Sequence, residues 1–249
     1  MNTLRLLVVG VILGSILAGP AQADIAARYE TTGDDTVVKM EMTVEADEHG
    51  NVRTQMARLG SYFLLRDGEL YQVSIGESGP FVVRVSDLMT VQAELAEEIL
   101  TDGAPEMEIP LQLFAEMETE VVGERVGTGY GLVSDEYPEP RYASVVISHD
   151  PELAQLGEAL VKSNEAMTKT TSAWGQMGTM LGVMNAQMLE ILRKGAPLRM
   201  MQLELTDVSD EKIPPERFAL PAEPLTIEEI RARVMPRVEA PPTLPPLRD

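Results

Sequence analysis

Residues 38–76 read VKMEMTVEADEHGNVRTQMARLGSYFLLRDGELYQVSIG, and their period decides the fold class. Val38, Met40, Met42 and Val44 alternate with Lys39, Glu41, Thr43 and Glu45, the spacing of a strand with one wet face. Residues 47–51 read as a turn into a second strand over 52–59. Asp67-Gly68 joins strands over 62–66 and 70–75, because that pair accepts the positive φ of a two-residue hairpin turn. Connections this short leave no room for a crossover, so the sheet is expected to be antiparallel.

Outward from this block, Phe81, Val83 and Val85 finish the first run of strands, and the period then changes. Leu88, Val91, Leu95, Ile99 and Leu100 recur at three- and four-residue spacing, an amphipathic helix over 86–102 stopped by Gly103 and Pro105. Strands resume after Pro110. Leu113, Ala115, Met117, Thr119 and Val121 are expected on one face, opposite Glu116, Glu118 and Glu120. Further strands follow over 126–133 and 142–148, the first with Gly127, Gly129 and Gly131 on one face, a sign of close backbone approach or strong curvature.

Asp150-Pro151 opens the longest helical stretch, cap then first-turn proline. One helix over 151–194 would be about 66 Å long at about 1.5 Å per residue, so a hairpin broken within 168–175 is expected. A last long strand over 198–208 follows. Nine of the 17 prolines lie from Pro214 onward, in a tail where Thr226-Ile227-Glu228-Glu229 is a capping box for a short helix.

The 249 residues carry 40 acids, 20 bases, no Cys and 15 Met, with 44% hydrophobic residues and 4% aromatics. A net charge of −20 argues against nucleic acid and anionic lipid surfaces, which demand a cationic face. The absence of Cys excludes disulfides, thiol nucleophiles and Cys-based metal sites. Arg5, an apolar run over 6–17 and Pro20-Ala21-Gln22-Ala23 read as an export signal over 1–23, cleaved after Ala23. Cleavage leaves 40 acids against 19 bases, and no later segment is apolar enough to span a bilayer. The expected organisation is thus the signal, a domain over 24–221 and a Pro-rich tail over 222–249, located in the periplasm.

Several of these segments together resemble an uncharacterised exported family related to the lipoprotein carriers of the LolA and LppX type. They are Phe63-Leu64-Leu65-Arg66-Asp67-Gly68-Glu69-Leu70-Tyr71, Val121-Val122-Gly123 before Tyr130, the long helical insertion, and Ile213 with Phe218-Ala219-Leu220-Pro221. The resemblance implies an α+β fold: an antiparallel sheet curved into a half-barrel, with a helical hairpin and a shorter helix covering its concave face. It also implies an apolar cavity that holds acyl chains, without catalysis or cofactor.

Seven methionines fall within 35 residues: Met167, Met177, Met180, Met184, Met188, Met200 and Met201. Three readings stay open: the core face of a helix, a lid over an apolar ligand, for which adaptable thioethers are suited, and a Cu(I) site of Met177, Met180, Met184 and Met188. On the carrier reading, Trp174, Met177, Met180, Leu181, Met184 and Met188 line the helix side, and Val38, Met40, Met42 and Val44 the sheet side. Gly175, Gly178 and Gly182 in the same stretch suggest close helix–sheet packing, and a helix weakened by them would also let a lid open. Residues 85–124 hold eleven acids and no base. They read as a solvated face, as edge protection, or as a dock for a basic envelope protein, which with a filled core would make this an interaction protein instead. Ser148-His149-Asp150 names a triad only on paper, since adjacent side chains project in different directions.

Overall fold

The computed structural model describes residues 24–32, 39–57, 59–99, 113–171 and 175–234. Six strands come first: β1 (Ile25–Thr31), β2 (Glu41–Ala46), β3 (Val52–Met56), β4 (Ser61–Arg66), β5 (Glu69–Gly76) and β6 (Gly79–Arg84). Helix α1 (Val85–Ile99) leads to β7 (Leu113–Val122), β8 (Arg125–Val133) and β9 (Val145–Ser148). A single 3-10 turn, Pro151–Leu153, opens α2 (Ala154–Thr171), followed by α3 (Gly175–Leu192), β10 (Ala196–Met200), β11 (Leu203–Ser209) and α4 (Ile227–Val234).

All eleven strands form one curved, unclosed antiparallel sheet in the order β6-β5-β4-β3-β2-β1-β11-β10-β9-β8-β7. The architecture is α+β. Asp67 and Gly68 sit at φ +52° and +80° and make the tight β4–β5 turn. Asp47 organises the β2–β3 turn by accepting from the backbone of His49 and Asn51 at 3.0 and 2.8 Å. No helix among the described residues is long and apolar enough to cross a membrane.

The main core lies between one sheet face and α2. Tyr29, Val44, Val145, Ile147, Leu153 and Leu156 are fully buried there. The Tyr29 hydroxyl donates to the carbonyl of Pro197 at 2.9 Å, tying β1 to β10 across the intervening β11. Burial pushes this phenol far above its ordinary pKa. On the other sheet face Ile213 and Phe218 bury Leu64.

The Pro-rich tail is docked as far as Val234. Leu225 donates to the carbonyl of Val82 at 2.8 Å, covering the edge strand β6, and Ile230 packs on Val83 and Val91. Covering an edge removes a template for unwanted strand pairing. The capping box forms: Thr226 donates to Glu229 from its backbone at 2.8 Å and its hydroxyl at 3.1 Å, and Glu229 N donates back at 3.3 Å. Those donors, the Thr226 backbone first, hold the Glu229 carboxyl below its ordinary pKa. A depressed folded-state pKa means the cap contributes fully above the ordinary carboxylate range, and its contribution is lost as pH falls through the folded value. A carboxyl-detected NMR titration should therefore place Glu229 below free glutamate; titration at the ordinary value would mean the cap does not persist in solution.

Three expectations on strands and helices are corrected. Residues 198–208 are not one strand but the β10–β11 hairpin, with Met201 at φ +56° donating to the carbonyl of Ser144 at 2.6 Å. Along β7 the register shifts between Glu116 and Thr119, so the faces exchange. Val121 is 63% exposed, and Glu120 instead turns to Arg199 at 2.7 Å. Finally, a Cβ at Gly182 would meet nothing within 4 Å, so this glycine does not serve close packing.

Candidate functional site

The helical hairpin breaks where the sequence places it, between Thr171 and Gly175, and its two arms differ. On α2, Leu156, Ala159 and Leu160 face the sheet and are buried, with Leu153 just ahead of them. Asp150 caps this arm by accepting from Glu152 N at 3.0 Å. On α3 only Ile191 and Leu192, at the end, are buried among the described side chains. The helix is tied to the edge strand β7 where Phe114 N donates to the side-chain Oε1 of Gln187 at 3.2 Å.

Six methionines from six elements pack, partly buried, around this core: Met56 of β3, Met89 of α1, Met117 of β7, Met167 of α2, Met188 of α3 and Met200 of β10. Thioether chains keep several torsions free and repack at low cost, so side chains of this kind adapt to a variable apolar guest. Met42 and Val44 are buried in the same core, and Met184 is half-buried on α3. Met40, just before β2, is 38% exposed at the rim. Trp174 and Val38 lie outside the described residues, as do the side chains of Met177, Met180 and Leu181 on α3. Met56, Met89 and Met117 are not legible as site residues from sequence, because nothing local links them; they share only their packing against the one large core.

Bases from other elements meet several of the acids in 85–124. Arg231 holds Glu94 at 2.6 Å, Lys194 reaches Glu116 at 3.3 Å, and Arg199 bridges Glu120 and Glu204. The Arg199–Glu120 pair joins β10 to β7 across two strands. That reach requires the sheet to coil, and the glycines of β8 allow it: a Cβ at Gly127 would lie 2.6 Å from the carbonyl oxygen of Ile147 on β9. Hydrogen bonds to Tyr130 and then Glu116 hold Lys194 charged to higher pH than usual.

A polar groove of about 570 Å³ runs past Thr119, Arg125, Thr128, Ser148 and Asp150. Here Ser148, His149 and Asp150 diverge in three directions. The Ser148 hydroxyl accepts from Asp150 N at 3.2 Å, and Asp150 pairs with Arg125. His149 Nδ1 lies 2.8 Å from the carbonyl of Lys194, which can only accept, so that nitrogen carries the proton. Among the described residues no three His, Cys, Asp or Glu side chains converge as metal ligands would.

A comparison with protein-family models gives no match to this chain, and a comparison with curated proteins gives none either.

Proposed function

We propose that this chain is an exported, non-catalytic carrier of a hydrophobic ligand, an acyl chain or lipid, held between α3 and the curved sheet. The observation that carries the reading is that six methionines from six elements pack, partly buried, against one core. Close packing buries most of this core outright, while these adaptable side chains are left only partly buried at its margin. Apolar burial at about 25 cal/mol per Å² supplies the affinity, and release requires α3 to loosen or a partner to receive the ligand.

Native mass spectrometry of protein purified from its own periplasm tests this directly, with uptake of a fluorescent fatty acid as the second readout. Met188→Glu sets a charge on the proposed lining and is expected to weaken uptake about tenfold or more. Val126→Glu, at a site 59% exposed, is expected to leave it unchanged. No co-purifying lipid together with no uptake would remove the proposal.

A second reading rests on a different observation. Beneath α2 the sheet is met by fully buried Leu153 and Leu156, without need of a guest. An interaction protein with a filled core, docking a basic envelope partner through its acidic face, would look the same there.

A further inference from the structure

The loop joining β8 to β9 reads Asp135-Glu136-Tyr137-Pro138-Glu139-Pro140-Arg141-Tyr142, and its backbone is fixed at both ends. Ser134 and Tyr137 exchange backbone hydrogen bonds at 2.9 and 3.1 Å, and the Ser134 hydroxyl also accepts from Tyr137 N at 3.2 Å. Pro140 rests so close on Gly131 that a Cβ there would lie 2.3 Å from it. At the far end Ser144 N donates to the carbonyl of Tyr130 at 2.9 Å, and the Ser144 carbonyl accepts from Met201 at 2.6 Å. The loop is thus held against β8 and the β10–β11 hairpin before anything binds, which removes an ordering cost from recognition.

Tyr137, Glu139, Arg141, Tyr142 and Ser144 bound a groove of about 240 Å³. Its two rings stand in solvent, Tyr142 at 71% and Tyr137 at 45% exposure. The Arg141 guanidinium lies over the Tyr137 ring at 4.6 Å. Among the described residues it has no carboxylate partner, although acids outnumber bases two to one in this chain. Stacking therefore sets a planar array of donors in place and leaves them open. Glu139, exposed on the same groove, supplies only acceptors. Ser144 is 2% exposed, and its hydroxyl has no hydrogen-bond partner among the described residues. A buried hydroxyl left so costs free energy until another group answers it.

These groups select a guest by elimination. An anion would meet Glu139, with Asp135 and Glu136 in the same loop, in a chain of net charge −20. A cation would meet Arg141. The guest is therefore neutral, and it must both donate to Glu139 and accept from Arg141; hydroxyl groups do both. The groove is smaller than the roughly 300–1,000 Å³ of a drug-sized pocket, so it holds one ring and not a chain. That ring must also offer an apolar face to Tyr142. A pyranose has this combination: its C–H bonds gather on one face, where they seat against the electron-rich face of an aromatic ring, and its hydroxyls point outward from the edge. We propose that this groove binds one pyranose ring of a neutral saccharide, its C–H face against Tyr142 and its hydroxyls on Glu139, Arg141 and Ser144. The proposal does not depend on ligand carriage.

Saturation-transfer NMR of the purified protein with chitotriose, cellotriose and maltotriose is the test, since these neutral oligosaccharides differ in linkage and in the group at C2. At least one is expected to receive saturation and to shift the Tyr142 ring resonances with a Kd of about 1 mM, the strength of a one-ring contact. Tyr142→Ala should weaken this binding about tenfold, and Ser144→Ala about fivefold. Tyr142 stands in solvent, so the melting temperature of Tyr142→Ala should equal that of the parent, which separates lost recognition from lost folding. Saturation of none of the three sugars overturns the proposal. So does binding that survives both substitutions, which would place the sugar elsewhere. A hexaproline peptide that shifts the Tyr142 ring more strongly than any of the sugars overturns it too, and would make the groove a peptide site.

Discussion

Gly195→Ala is expected to destabilise the protein by about 3 kcal/mol or more, or to prevent its accumulation, although it adds a single methyl group. A Cβ at Gly195 would lie 2.1 Å from the carbonyl oxygen of Ser148 and 3.0 Å from both the Ile147 Cγ2 and the Ser148 carbonyl carbon. The obstacle is backbone, in the fully buried strand β9, so no side chain can swing aside. On the opposite side Gly157 of α2 faces the same residue, its own Cβ position 3.1 Å from the Gly195 carbonyl. Three backbones meet here without side chains between them, and an added methyl group must push a pair of them apart. The same change elsewhere in the hairpin should have the opposite sign. Gly182 has open space where a Cβ would go, and replacing helical Gly by Ala stabilises by about 0.5–1 kcal/mol. Urea unfolding of the two variants reads both effects. A Gly195→Ala protein with parental stability would mean that α2 and β9 are not packed as described. On the carrier proposal, stiffening α3 through Gly182→Ala should also slow ligand exchange.

Much of this fold is legible in the sequence where each residue answers to its neighbours. Alternation in β2, the Asp67-Gly68 turn, the Asp150 and Thr226 caps and the break in the helical hairpin depend on contacts a few residues away. The failures depend on distant ones. Met201 and Gln202 have no turn chemistry, yet Ser144, far back in the chain, accepts from Met201 and fixes it at a positive φ that Met rarely adopts. The face exchange in β7 follows Arg199, 79 residues on, which draws Glu120 inward. The candidate site shows the same division. Met167 and Met188 stand out as members of a helical run, whereas Met56, Met89 and Met117 join them only by packing on the same core from elements far apart in the chain. The acidic run from Asp87 to Glu124 looks uncompensated in one dimension, and its bases arrive from the end of the helical hairpin, β10 and α4.

Leu156→Ala is expected to cost about 3–4 kcal/mol, a large share of the roughly 5–15 kcal/mol that holds a domain together. Leu156 is fully buried on α2, between Leu153 and Leu160 and against the strands of the main core. The loss combines the transfer energy of the missing carbons with the void they leave, and the void is costly only where the surroundings cannot collapse. Here they cannot: α2 is fixed at its start by the Asp150 cap and along its face by Gly157 against Gly195. Met188→Ala on α3 should cost less, since its partly buried thioether has neighbours free to repack. Urea titrations with an unchanged slope would report both losses as stability. The two variants also separate anchoring from recognition. If the guest lies beneath α3, Leu156→Ala should bind fatty acid normally per folded molecule while Met188→Ala binds it less. A cost below about 1 kcal/mol for Leu156→Ala would reverse that assignment: a site that tolerates so large a deletion already contains adaptable space, and the cavity would then lie under α2.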